Sequence, residues 1–150
     1  MSNKVVLLIE DNADDKRLTL RALRKNNIMN EVVVAYDGQE ALDYLFGKDK
    51  FQGRNVDELP CLIILDLNLP GISGMEVLET IRKNAQTSGI PVVVMTGSED
   101  GDLVDSAYRC GANSYIVKPT GSAEYSDMVL HVAMYWLLLN EAPPRSRVLQ

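Results

Sequence analysis

Leu62-Ile63-Ile64-Leu65-Asp66-Leu67-Asn68-Leu69-Pro70 is a run of four aliphatic residues that ends on an acid and then on a proline-bounded loop. A continuous apolar run of this length, without polar alternation, reads as a strand buried on both faces, the habit of a parallel sheet covered by helices on each side. Three further runs repeat the pattern: Val5-Val6-Leu7-Leu8-Ile9 before Glu10-Asp11, Val92-Val93-Val94-Met95 before Thr96, and Tyr115-Ile116-Val117 before Lys118. In a parallel sheet the carboxyl ends of the strands share one edge, where ligands bind. The pattern therefore predicts that Glu10, Asp11, Asp66, Thr96 and Lys118 converge: three carboxylates, a hydroxyl and an ammonium.

Outward from these strands the chain reads as alternating β and α. Strand 1 covers about Lys4 to Glu10, and Asn12 or Asp14 caps a helix to about Asn27. Strand 2 is Glu31 to Ala35. Asp37-Gly38 turns into a helix through Ala41, Leu42, Leu45 and Phe46. The polar stretch Gly47–Pro60 is long for a connection in such a unit. After strand 3, Pro70-Gly71 and Gly74 precede a helix carrying Val77, Leu78 and Ile81. Pro91 opens strand 4, Asp100 to Cys110 is a short helix, Ser114 to Val117 is strand 5, and Ser122 to Asn140 is the last helix. Right-handed crossovers give one doubly wound α/β domain, a flavodoxin-like five-stranded parallel sheet of order 2-1-3-4-5. Its switch point lies between strands 1 and 3, beside Glu10, Asp11 and Asp66. Residues 1–140 form this domain, and 141–150 are expected to be a loose tail.

Composition narrows the function. The chain has 150 residues, 46% hydrophobic and 24% charged, which suits one globular domain. A net charge of -6 argues against nucleic acid or an anionic membrane as partner. No apolar run approaches the length of a membrane span. The first residues lack a signal-peptide cleavage pattern, and Cys61 and Cys110 lack metal-ligand spacing, so a cytoplasmic protein with reduced thiols is expected.

The converging residues suit phosphoryl transfer. A carboxylate can attack a phosphoryl group and become an acyl phosphate, but nucleophile and donor are both anionic. A hard dication held by carboxylates removes that repulsion, and Mg²⁺ is the natural choice. Glu10 and Asp11 are its expected holders, with Asp66 both ligand and nucleophile and the Asn68 backbone carbonyl completing the shell. Lys118 offers a point charge to a phosphoryl oxygen, and Thr96 a hydroxyl. A cis Lys118-Pro119 bond would aim the lysine.

Glu10-Asp11, Asp66 within Leu65-Asp66-Leu67-Asn68-Leu69-Pro70, Gly74, Thr96 within Val94-Met95-Thr96-Gly97, Tyr115, and Lys118-Pro119, in that order, resemble the receiver domain of two-component response regulators. The resemblance covers about Lys4 to Asn140; Glu10 stands where many receivers have Asp and keeps the charge. It implies that Asp66 accepts a phosphoryl group from the phosphohistidine of a sensor kinase, with Thr96 and Tyr115 reorienting as the switch. Ser98 lies where the family tunes dephosphorylation. The Gly47–Pro60 connection, Gly111-Ala112-Asn113 and the aromatic last helix resemble receiver-only regulators that partner bacterial phytochromes. A phytochrome-type histidine kinase is thus the implied partner, and a protein recipient the implied output. Beyond self-catalysed phosphorylation and dephosphorylation, no enzymatic activity is expected.

Other readings fit less well. An aspartate-nucleophile phosphohydrolase places a second acid two residues after its nucleophile, where this chain has Asn68. A flavin carrier of the same fold needs a phosphate loop after strand 1, where this chain has Glu-Asp-Asn-Ala-Asp-Asp. A receiver-like binding module without phosphorylation would lack the acids or the lysine. His131, alone on an apolar helix, reads as structural. In the last helix, Tyr125, Met128, Val129, Val132, Tyr135, Trp136 and Leu139 share one side at helical pitch. Leu130, Met134, Leu137 and Leu138 lie mostly opposite. Two apolar stripes predict one face on the sheet and one in a homodimer, through this helix and strand 5, the alternative being that the C-terminal tail folds back over the second stripe.

Overall fold

A computed structural model describes residues 4–143. Five short strands, β1 (Val6–Ile9), β2 (Val32–Ala35), β3 (Leu62–Leu65), β4 (Val92–Thr96) and β5 (Ser114–Val117), form one parallel sheet of order 2-1-3-4-5, as the apolar runs predict. The crossovers carry α1 (Ala13–Lys25), α2 (Gly38–Phe46), α3 (Gly74–Lys83) and α4 (Gly101–Arg109), and α5 (Ser122–Ala133) follows β5.

Alternate strand residues feed two cores, one on each face of the sheet. Leu7, Ile9, Ile63, Leu65, Val92 and Val94 pack with α2, α3 and Ala107 of α4. Val6, Leu8, Leu62, Ile64, Val93 and Met95 pack under α1 and α5, against Ala22, Leu23, Tyr125 and Val129. All four residues of β1 and of β3 are buried, so a polar residue in either run would face apolar neighbours on one side or the other.

The helices start where polar side chains can take up the first free N–H groups. The Asn12, Asp37 and Asp100 side chains accept from Asp15, Glu40 and Asp102, and Ser73 with Glu76 forms a reciprocal capping box. Asn12 rather than Asp14 is therefore the cap of α1. The long Gly47–Pro60 connection is organised by one side chain. The Arg54 guanidinium stacks 4.1 Å from the Tyr44 ring and donates to the carbonyls of Tyr44, Leu45, Asn55 and Glu58. It thereby satisfies carbonyls at the end of α2 and folds the loop onto it.

The last helix departs from the expected single α-helix to Asn140. After Ala133 it widens into a π-helical turn, Met134–Leu139. A wider turn rotates each residue less, so the two apolar stripes mix along it. Leu137, expected on the outer stripe, packs against the core with Trp136, whereas Tyr135 and Leu139, expected inside, are 50% and 71% exposed. Leu130 is half-buried, and Met134 and Leu138 stay exposed. Of the tail expected to be loose, residues 144–150 lie outside the described residues.

Candidate functional site

Register brings the strand ends together. Ile9 is level with Leu65, Leu65 with Val94, and Thr96 with Val117. The residues that follow stay in the sheet's hydrogen-bond pattern: the Asp66 N–H donates to the Ile9 carbonyl (3.1 Å) and the Lys118 N–H to the Thr96 carbonyl (2.8 Å). Side chains that leave β1, β3 and β5 at this edge therefore point into one cleft of about 970 Å³. Asp11, Asp66, Asn68, Thr96, Ser98 and Lys118 line it. The five residues expected to converge do so.

Lys118 is the hub. Its ammonium donates to Glu10 Oε1 (2.7 Å), Asp15 Oδ2 (2.8 Å) and Asp66 Oδ2 (2.9 Å). An ammonium has three N–H groups, so its donor capacity is filled. Burial opposes the lysine's charge, but the hydrogen bonds to Asp15, Glu10 and Asp66 outweigh it and hold its pKa above the ordinary lysine value. The remaining oxygens of two of these acids are also used: Glu10 Oε2 accepts the Asn12 N–H and Asp66 Oδ1 the Asn68 N–H. Glu10 is 3% exposed, and burial raises its pKa to about 7. Lys118 opposes that rise, and the charge of Asp66 adds to it. The Lys118-Pro119 bond is trans, against the expected cis form; the lysine stem reaches all three carboxylates from the strand end without it.

Asp15 was not singled out from the sequence, where it is one acid in an acidic run. Its placement follows from the cap: the Asn12 side chain holds the Asp15 N–H, which puts Asp15 in the first turn of α1, facing Lys118. Behind it, the Thr19 hydroxyl donates to the Asp15 carbonyl (2.8 Å) and lies 3.4 Å from the buried Tyr125 hydroxyl of α5. On the β4 side, Thr96 is buried at the cleft wall. The Tyr115 hydroxyl donates to the Ser98 carbonyl (2.8 Å), and the Tyr115 N–H donates to the Tyr108 hydroxyl. Gly74 starts α3 so close to the acid's own backbone that a Cβ there would stand 2.5 Å from the Asp66 carbonyl oxygen.

One oxygen from each of Glu10, Asp11 and Asp66 lies within 4.8 Å of the others. Clustered carboxylate oxygens at this spacing, one of them exposed, fit a small hard dication that keeps several waters. A thiolate or imidazole metal does not fit, because neither cysteine nor His131 lies among them.

The response regulator receiver domain family matches residues 6–130. The chain belongs to that family. Response regulator Rcp1 of Synechocystis is 36% identical over 134 residues, 89% of each chain. The crystal structure of the Mn²⁺-bound form of Rcp1 superposes with a TM-score of 0.86 at 35% identity, covering 94% of this chain and 99% of that one. The phosphorylated cyanobacterial phytochrome response regulator RcpA gives a TM-score of 0.88 at 34% identity, covering 95% and 100%. The chain is thus a receiver homologous to phytochrome response regulators, and phosphorylation on an aspartate by a kinase is its function. Among the described residues no helix is long and apolar enough to cross a membrane.

Proposed function

We propose that Asp66 is the phosphoryl acceptor and that Glu10, Asp11, Asp66 and the Asn68 carbonyl hold Mg²⁺ beside it. The observation that carries this reading is Lys118 drawn onto the Asp66 carboxylate at the sheet's carboxyl edge. An Asp66 oxygen forms the new O–P bond as the P–N bond of a phosphohistidine breaks, and the bonding pair stays on the imidazole nitrogen. Lys118 then turns its third N–H from Asp66 to a phosphoryl oxygen, keeping Glu10 and Asp15 as partners. When bound, the dication offsets the negative charge shared by the carboxylates and the incoming phosphoryl group. Positioning and charge are nearly all that such a transfer requires.

Thr96, at the end of β4, serves as the hydroxyl that follows the phosphoryl group. Tyr115, tied to the Ser98 carbonyl two residues further on, carries that movement to the β5 surface. The donor is a sensor histidine kinase of phytochrome type, a reading supported by the phytochrome association of RcpA. The signal leaves by protein contact or phosphorelay from a cytoplasmic protein, and a homodimer through β5 and the last helix fits the exposed Met134, Tyr135, Leu138 and Leu139. The phosphohydrolase alternative lacks its second acid, since Asn68 stands in that place.

Intact mass spectrometry tests the assignment. Acetyl phosphate with Mg²⁺ should add one phosphoryl group to the wild type and none to Asp66→Asn. An adduct on Asp66→Asn refutes the acceptor, and continuous release of phosphate from many equivalents of a phosphate ester would establish the hydrolase instead.

A further inference from the structure

Asp15 carries more than a helix start. Its carboxylate lies 2.8 Å from the Lys118 ammonium, no farther than that of Asp66 at 2.9 Å. The cap at Asn12 and the Thr19 bond to its carbonyl fix its backbone in the first turn of α1, beside Lys118. With Asp15, three acids (Glu10, Asp15 and Asp66) hold one lysine, and Asp11 stands within 4.8 Å of two of them, Glu10 and Asp66. We infer that Asp15 is a positioning residue for phosphoryl transfer: it shares the Lys118 ammonium with Asp66 and thereby weakens the lysine's hold on an incoming anionic phosphodonor. This rests on the reading of Asp66 as acceptor.

The physical reason is that an ammonium engaged by three carboxylates has its charge offset before any donor arrives. A dianionic donor then meets a cleft whose net charge is negative and whose one cation is already occupied. Removing the Asp15 charge while keeping an oxygen at that place leaves Lys118 with two carboxylates instead of three, without emptying the space. Asp15→Asn does this, and Asp15→Glu restores the charge.

The test uses the whole protein, acetyl phosphate and Mg²⁺, with phosphorylation followed by mass. In this reaction an Asp66 oxygen bonds to phosphorus while the P–O bond to the acetyl group breaks, and acetate leaves with the electron pair. The half-saturating acetyl phosphate concentration should fall at least about threefold in Asp15→Asn, as loss of one screened charge a few ångströms away implies. Added salt screens the repulsion between the negative cleft and the donor, so it should lower that concentration in the wild type and lower it less in Asp15→Asn, which has one acid fewer. Asp15→Glu should return both towards wild type. A second readout needs neither metal nor donor. In metal-free protein, the three ion pairs should slow exchange of the Lys118 ammonium protons enough to give a side-chain NMR signal, absent in Lys118→Arg. That signal should broaden in Asp15→Asn. An unchanged or raised half-saturating concentration in Asp15→Asn with an unchanged lysine signal overturns the proposal. So does a change that Asp15→Glu fails to reverse. Phosphorylation persisting in Asp66→Asn would instead overturn the acceptor, whatever Asp15 does.

Discussion

Added Mg²⁺ should stabilise the fold, and the site geometry says by how much. Pairs of unit charges within 4.8 Å repel by about 1–3 kcal/mol at effective dielectric constants between those of a protein surface and water. Lys118 relieves Glu10 and Asp66 but makes no bond to Asp11, so part of that repulsion remains for a cation to remove. With a dissociation constant on the order of 1 mM, about 10 mM Mg²⁺ adds about 1.4 kcal/mol. For a chain of this size that raises Tm by about 3–6 °C. The sign of the pH effect follows from Glu10. Its pKa in the fold, about 7, lies above its ordinary 4.5, so the folded state holds the proton more tightly. The stability this lends is full below pH 4.5 and lost as pH rises through 7. Metal-free Tm should therefore fall between pH 5 and 8, and the gain from Mg²⁺ should be larger at pH 8, where no proton competes. Thermal melting of the wild type and of Glu10→Gln with Asp11→Asn, with and without Mg²⁺, measures both effects. The double variant should lose the Mg²⁺ gain and the Glu10 part of the pH slope. An equal Mg²⁺ gain in the double variant would refute the site.

Gly74→Ala should lower Tm, with a loss of about 1–3 kcal/mol, because its Cβ would meet the Asp66 carbonyl and the Leu67 backbone rather than a yielding side chain. Phosphorylation should slow with it, since the displaced backbone carries the acceptor; wild-type melting and phosphorylation rates would contradict this. For the homodimer, Met134→Glu with Leu138→Glu should give a monomer in sedimentation that still accepts one phosphoryl group. A wild type already monomeric with and without phosphate would remove the dimer.

The central strands β1 and β3 were legible in the sequence because burial on both faces leaves no position where they can accept a polar residue. The order followed from right-handed crossovers; the edge strands β2 and β5 are mostly only half-buried. Four apolar runs, each stopping at a functional side chain, therefore mark both the sheet and its working edge. Glu10, Asp11, Asp66, Thr96 and Lys118 could be placed together for the same reason: in a parallel sheet the end of every strand is also the end of its neighbours. Asp15 could not be placed that way. It lies on a helix, and whether it meets Lys118 depends on the capping geometry at Asn12 and on how α1 packs against α5. Likewise the helical pitch assumed for the last helix put Leu137 outside and Tyr135 inside. A widened turn reversed them, because local pitch answers to packing on the sheet as well as to residue type. The sequence by itself determined which residues end the strands. Tertiary structure alone decided which acid on α1 shares the lysine and which side chains of the last turns remain exposed, because both depend on how a helix sits on its neighbours.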